Sequence, residues 1–388
     1  MNILFYIGLY PNYGGTEKVT TILANYFSKN NSGWHVDILS HGSLDEYVFA
    51  EDLDSNINIF HTPVRGRKNV LCKRNIDYID NLVKDHRIDV LIFQDNYWLD
   101  CRMLTILKNS NKFLRIIAVE HFAPDSFVSM KAYKSALSSN IFKRKIFHKF
   151  YMWTKKYHNN RRHSFLYSIC DDYVLLSPSF QSKLVELANL KDESKLHVIN
   201  NPLTIKISGD TYIQKEKICL FVGRFSEQKG LFYLLDIWKR IELTHNDWKL
   251  LLVGTGILDS LLKKYVKDHA INNVFFEGYK DNPLDYYRRA SIICLTSIYE
   301  GLPLVLAEAM NYRVIPVAFN SFTSAVDLID DGENGFLIKP FDMDDYVQKL
   351  LSLMNDKMLR QRMSDAAYLK SLQCLMLSIN EKWKKLIL

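Results

Sequence analysis

Short apolar runs recur along the chain, and between them lie stretches in which apolar residues return every three or four positions. In the first half the runs cover residues 2–7, 35–39, 57–60, 89–93, 113–119 and 173–176. After the first of them, residues 16–27 set Val19, Ile22, Leu23, Tyr26 and Phe27 on one side, which is a helical period. The second half repeats the alternation, with runs at 218–223, 249–253, 274–276, 292–295, 314–318 and 336–338. Helical periods there cover 231–242, 258–268, 304–310 and 344–354. Strands that alternate with helices predict a parallel sheet covered on both faces, so the chain reads as an α/β protein with two doubly wound sheets. Residues 204–217 are polar and unpatterned, as a connection between domains should be, and predict domains at 1–201 and 202–388.

Length agrees, because 388 residues exceed what one hydrophobic core usually holds. The similarity of the halves is architectural, for no repeat or low-complexity tract is found. No apolar run is long enough to span a membrane, and the first residues lack the basic start of a secretory signal, so a cytoplasmic location is expected. Six cysteines, at 72, 101, 170, 219, 294 and 374, form no Cys-x-x-Cys pair, which predicts reduced, packed thiols and no metal site.

Charge is distributed unevenly. Residues 131–163 hold ten Lys or Arg, three His and no acid, against a net charge of +7 for the whole chain. Phe142, Phe147, Phe150 and Trp153 interleave with the bases at helical spacing, the pattern of a basic amphipathic helix at the surface of an anionic membrane. A helix packed on the first domain with a solvated basic face is the plainer alternative. Nucleic acid is a third polyanion, but no nucleic-acid module accompanies the stretch, and none is expected as a partner.

Ligands of such sheets bind beyond the carboxyl ends of strands. In the first half the loops there hold Gly14-Gly15-Thr16-Glu17, Gln94-Asp95-Asn96 and Glu120-His121-Phe122. In the second half the loop after 218–223 reads Gly223-Arg-Phe-Ser-Glu-Gln-Lys-Gly230, where Arg224 and Lys229 can set two cations on a diphosphate. The loop after 292–295 reads Ser297-Ile-Tyr-Glu-Gly-Leu-Pro-Leu304 and leads into a helix expected to start near Pro303. Amides at that helix start favour an anion, while Glu300 and Glu308, eight positions apart, suit the vicinal hydroxyls of sugars. Gly254-Thr-Gly256 lacks the third glycine of a dinucleotide fingerprint and is rejected as one.

The pair Glu300 and Glu308 resembles the Glu-(seven residues)-Glu motif of the retaining glycosyltransferases of family 4. Their GT-B fold sets two Rossmann-like domains facing each other across a cleft. Gly223 to Gly230 is similar to the phosphate-binding Gly-Arg-(four residues)-Lys-Gly pattern of the same family, and Gly14-Gly15-Thr16-Glu17 to its first loop. The resemblance implies that Glu300 contacts the donor sugar, that Glu308 holds the ribose, and that Gly301, Leu302, Pro303 and Leu304 form the diphosphate loop. It further implies that Arg224 and Lys229 stabilise the leaving diphosphate, that Gly278 and Tyr279 flank the base, and that Gly14, Gly15 and Glu17 lie against the donor. His121 takes the place of the family's active-site histidine, beside the donor sugar. The last helix, about 373–388, would cross back to the first domain.

Where relatives carry Gly-Pro before an acidic residue, this chain has Ser321-Phe-Thr-Ser-Ala-Val-Asp327, which bears on the choice of donor sugar. The implied activity is retaining transfer of a hexose or N-acetylhexosamine from a nucleotide-sugar, UDP-linked, to a saccharide or lipid-linked saccharide in bacterial surface-glycan assembly. It implies no cofactor and no metal, and a peripheral place at the cytoplasmic face of the inner membrane. A nucleotide-sugar epimerase of the same fold and a non-enzymatic two-lobed sugar-binding protein are the other classes.

Overall fold

A computed structural model describes residues 1–11, 14–42, 52–95, 97–125, 142–205 and 214–388, with backbone alone for 67 and 142–155. The chain forms two compact units, one of Met1–Asp125, Asn140–Thr204 and Met376–Leu388, the other built on Ile205–Leu375.

The first unit holds a seven-stranded sheet in the order β3-β2-β1-β4-β5-β6-β7, with every pairing parallel. Its strands are β1 (Asn2–Ile7), β2 (His35–Ser40), β3 (Asn58–His61), β4 (Val90–Phe93), β5 (Arg115–Glu120), β6 (Asp172–Leu175) and β7 (Leu196–Val198). Its helices are α1 (Gly15–Asn30), α2 (Lys73–Asp85), α3 (Trp98–Ser110), α4 (Phe142–Ile169) and α5 (Pro178–Ala188). Central strands such as β4 are buried along their whole length, as a sheet covered on both faces requires. Six of the seven strands are legible as apolar runs. β7 is not, because its three half-buried residues include His197. A last helix, residues Met376–Ile387, also packs here: buried Trp383 lies edge-on to Phe27 of α1, and Arg115 of β5 donates to the Ile387 carbonyl.

The second unit has a six-stranded parallel sheet in the order β10-β9-β8-β11-β12-β13. The strands are β8 (Ile218–Val222), β9 (Lys249–Val253), β10 (Val274–Gly278), β11 (Ile292–Leu295), β12 (Ile315–Phe319) and β13 (Phe336–Ile338). Around them lie α6 (Leu231–Ile241), α7 (Asp259–Asp268), α8 (Leu284–Arg289), α9 (Leu304–Asn311), α10 (Ala325–Leu328), α11 (Met343–Asn355) and α12 (Lys357–Ser371), after which the helix Met376–Ile387 becomes α13. Leu231, Leu234, Leu235, Trp238 and Ile241 line one side of α6 and enter a core with Trp248, Phe221 and Tyr346. α11 and α12 each start at an aspartate, Asp342 or Asp356, whose side chain accepts from the backbone three residues on.

Each sheet reverses its strand order once, between β1 and β4 and between β8 and β11. Crevices at the carboxyl ends of strands open at such reversals, which makes the loops after these four strands the places to look for a site. Residues 131–141 of the basic stretch, residues 206–213 of the connection, and Asn96 lie outside the described residues. Among the described residues, no helix is long and apolar enough to cross a membrane.

Candidate functional site

At the reversal in the second sheet, the loops after β8 and β11 are stitched together. Lys229 Nζ donates to Glu300 Oε1 at 2.6 Å, and Ser297 Oγ donates to the same oxygen at 2.6 Å. Gln228 closes the backbones, accepting from the Ile298 amide at 2.8 Å and donating from its side chain to the Tyr299 carbonyl at 3.0 Å. Gly230 completes the seam: its φ is +62°, and a Cβ there would stand 2.2 Å from the Thr296 carbonyl oxygen, so no other residue fits. Arg224 is exposed on the same loop.

The β11 loop ends at α9, with Pro303 in the cap position and the helix beginning at Leu304, as the helical period over 304–310 predicts. Pro303 has no N–H to offer; the donors of this turn are the amides of Gly301, Leu302 and Leu304. Two serines brace the loop from the segment that departs from the family pattern: Ser321 Oγ donates to the Ser297 carbonyl at 2.5 Å, and Ser324 Oγ to the Gly301 carbonyl. Ser321 and Ser324 therefore do locally what a Gly-Pro pair cannot, holding the turn by hydroxyl bonds. Asp327, the acidic residue of that segment, is in α10.

Glu308 is in α9 with its carboxylate turned inward, 5% exposed, accepting from Tyr287 Oη of α8 at 2.9 Å. Burial and that carboxylate hold the Tyr287 hydroxyl proton on well above the ordinary tyrosine range. Gly278 ends β10 with φ +71°, and Tyr279 beyond it is exposed. Gly254 and Gly256 prove to be packing glycines: a Cβ at either would run into the backbone of Gly223 or Phe225, and the Phe225 amide donates to Thr255 O at 2.8 Å. The second unit thus combines a cation, two carboxylates and a helix start at one strand reversal, a set able to hold an anion next to hydroxyl groups.

In the first unit Gly14 caps α1, and the Glu17 carboxylate folds back beside it, 2.0 Å from where a Cβ of residue 14 would be. Gly15 is the first residue of the helix. Glu120 does not stand in the loop after β5 as expected. It is the last residue of that strand, 3% exposed, and accepts from Arg162 Nη2 of α4 at 2.9 Å and from Tyr173 Oη at 3.1 Å. Burial pushes its pKa up, but the Arg162 guanidinium and neighbouring donors outweigh that and hold it below the usual range. Tyr173 gives its single proton to Glu120 and so accepts from His163 Nδ1 at 3.0 Å, while His163 Nε2 accepts from Arg162 at 3.1 Å. This network needs a neutral His163, and burial and Arg162 bring its pKa down to about 4.

His121, the next residue, is half-buried, with Nε2 2.9 Å from Gln94 Oε1. Burial brings its pKa down to about 4 against the opposing pull of Glu120, so it is a neutral imidazole at pH 7. Arg162 and His163 are hence not part of any exposed basic face; Lys156, His158 and Arg161 of α4 are exposed. Sequence reading also missed Ser297, Gln228, Ser321, Ser324 and Tyr287. Ser297 and Gln228 adjoin charges already singled out, but nothing in the pattern marks Tyr287 as a partner of Glu308.

Residues 206–370 match the family model for glycosyl transferases group 1. The chain is 28% identical to an uncharacterized glycosyltransferase of Haemophilus influenzae and 26% identical to the amylovoran biosynthesis glycosyltransferase AmsD of Erwinia amylovora, over 99% of each chain. Among solved structures it is similar to the apo lipopolysaccharide outer core galactosyltransferase WaaB, at a TM-score of 0.75 and 19% identity, covering 100% of this chain and 99% of that one. The two Rossmann-like parallel-sheet units are those of the GT-B fold. Fold, family model and full-length relatives together support a glycosyltransferase.

Proposed function

We propose that this GT-B chain is a retaining glycosyltransferase that moves a hexose or N-acetylhexosamine from a UDP-linked donor to a saccharide or lipid-linked saccharide acceptor in bacterial surface-glycan assembly. The observation that carries the reading is the Lys229–Glu300 pair beside the start of α9, at the reversal of the second sheet. Without ligand the lysine neutralises the glutamate. With a nucleotide-sugar bound, Lys229 and Arg224 pass to the diphosphate together with the amides of Gly301, Leu302 and Leu304. Glu300 is then released to accept from sugar hydroxyls, and Glu308, held by Tyr287, to accept from the ribose. The bond from the anomeric carbon to the phosphate oxygen breaks as the acceptor oxygen attacks from the same face. The acceptor proton leaves with the diphosphate. Positive charge for this step comes from the two cations and the helix start, so no metal is required. In the first unit His121, neutral at pH 7, offers hydrogen bonds to a saccharide hydroxyl.

AmsD, named for amylovoran biosynthesis and alike over its whole length, supports a polysaccharide product. The basic residues of α4 and of the stretch before it support a place at an anionic membrane surface. The test is to incubate the protein with a panel of UDP- and GDP-sugars and follow nucleotide release with and without lipid-linked saccharides. Release that depends on the acceptor supports the reading. Isomerisation of the donor without acceptor would mean an epimerase, and donor binding without turnover a binding protein.

A further inference from the structure

The loop after β4 carries a side chain that the proposed reaction does not use. Gln94 is 6% exposed, and its own amide N–H donates to the Tyr6 carbonyl of β1 at 2.9 Å, which fixes its place at the reversal of the first sheet. Its Oε1 faces two groups, Thr20 Oγ1 of α1 at 3.0 Å and His121 Nε2 at 2.9 Å. A carbonyl oxygen only accepts, so in this arrangement His121 carries its proton on Nε2 and keeps the Nδ1 lone pair. Turning the amide over would present two donors instead. Thr20 could then give its proton to the Thr16 carbonyl, 2.8 Å away, and His121 would have to move its proton to Nδ1. Amide orientation and tautomer are one choice.

We propose that Gln94 is the positioning residue that holds His121 as the Nε2–H tautomer, leaving Nδ1 to accept from a saccharide hydroxyl; this rests on the transferase reading above. The other end of the amide shows what that orientation costs. Gln94 Nε2 is buried with no hydrogen-bond partner, and the side chain lines, with His121, a recess shared with Asn200, Asn201 and Trp383. A buried amide nitrogen left unpaired is costly, so this orientation stands only where the two bonds the oxygen accepts, from Thr20 and His121, outweigh that cost, and the tautomer of His121 reports which side wins. Gln94 therefore links the start of α1 to the residue after β5 through one oxygen atom.

The test reads the tautomer itself. The full-length protein is labelled with 15N-histidine, and long-range 1H–15N spectra at pH 7 are recorded for the wild type, Gln94→Leu and Gln94→Glu, with His121→Asn to assign the signal. The Nε2–H form is expected in the wild type and in Gln94→Glu, whose carboxylate also only accepts, and a shift toward Nδ1–H or a mixture is expected in Gln94→Leu. In transfer assays Gln94→Leu should lose roughly tenfold in kcat, the loss of one hydrogen bond, with donor KM little changed. Gln94→Glu should recover most of it, a rescue that mere packing would not give. An Nδ1–H wild type, or a Gln94→Leu spectrum identical to the wild type, overturns the proposal. Because the spectra need no substrate, failure to find a transfer reaction would count against the transferase reading alone.

Discussion

Removing the Glu300 carboxylate separates its two roles, because Lys229 is left behind as a half-buried cation without its partner. The pair joins side chains 16% and 8% exposed, and Glu300 also holds Ser297. Losing a charged hydrogen bond of this kind costs about 1.5–3 kcal/mol. In a unit of this size that lowers the melting temperature of Glu300→Ala by roughly 3–12 °C. A diphosphate supplies the missing anion. In the wild type it must draw Lys229 off Glu300, and in the variant it has no competitor, so UDP should bind Glu300→Ala at least as tightly and up to roughly tenfold more tightly. Transfer should nonetheless fall about ten- to hundredfold, since the sugar has lost its acceptor. Thermal melts with and without UDP, titration calorimetry and initial rates measure the three quantities on one preparation. A tenfold or greater loss of UDP affinity in Glu300→Ala would refute the idea that the carboxylate and the diphosphate share Lys229.

Glu308→Ala should weaken nucleotide binding by roughly ten- to hundredfold in calorimetry, and wild-type affinity would remove the ribose assignment. Arg224→Ala and Lys229→Ala should each lower transfer strongly while a chelator leaves the wild type active; activity lost to chelator and restored by magnesium would overturn metal-free departure of the diphosphate. A variant with Lys143, Arg144, Lys145 and Lys149 changed to glutamine should leave anionic liposomes, at about 1 kcal/mol per base, yet still transfer to a soluble acceptor, and undiminished sedimentation would return the stretch to an ordinary helix face. His163 titrates near 4 when folded against 6.5 when unfolded, so its neutral form stabilises the first unit fully above pH 6.5, and about 3 kcal/mol is lost as pH falls from 6.5 to 4; urea melts across that window check it, and a flat profile would contradict it.

Both sheets could be read from the chain because a parallel strand covered on two faces must be apolar along its length, and runs such as 218–223 and 292–295 have no other use. β7 escaped because an edge strand of three half-buried residues need not be apolar. Lys229 and Glu300 were visible as charges beside glycine turns, and Glu308 by its spacing from Glu300. Their partners were not, for Ser297 and Tyr287 are neutral, common residues whose role depends on which loops the sheet order brings together. Glu120 was misread for a related reason: one position separates the end of a strand from a loop, and the arginine that neutralises it comes from α4, 42 residues later. The same bond takes Arg162 out of what the composition presents as an unbroken basic face.

The central claim, that the diphosphate of a donor is taken by Lys229, Arg224 and the turn before α9, is tested most directly by a crystal structure with UDP bound. The account predicts phosphate oxygens within hydrogen-bond distance of Lys229 Nζ and of the Gly301 and Leu302 amides, the ribose on Glu308, and Glu300 Oε1 parted from Lys229. A UDP molecule bound elsewhere, or one bound with the 2.6 Å pair of Lys229 and Glu300 intact, would contradict it.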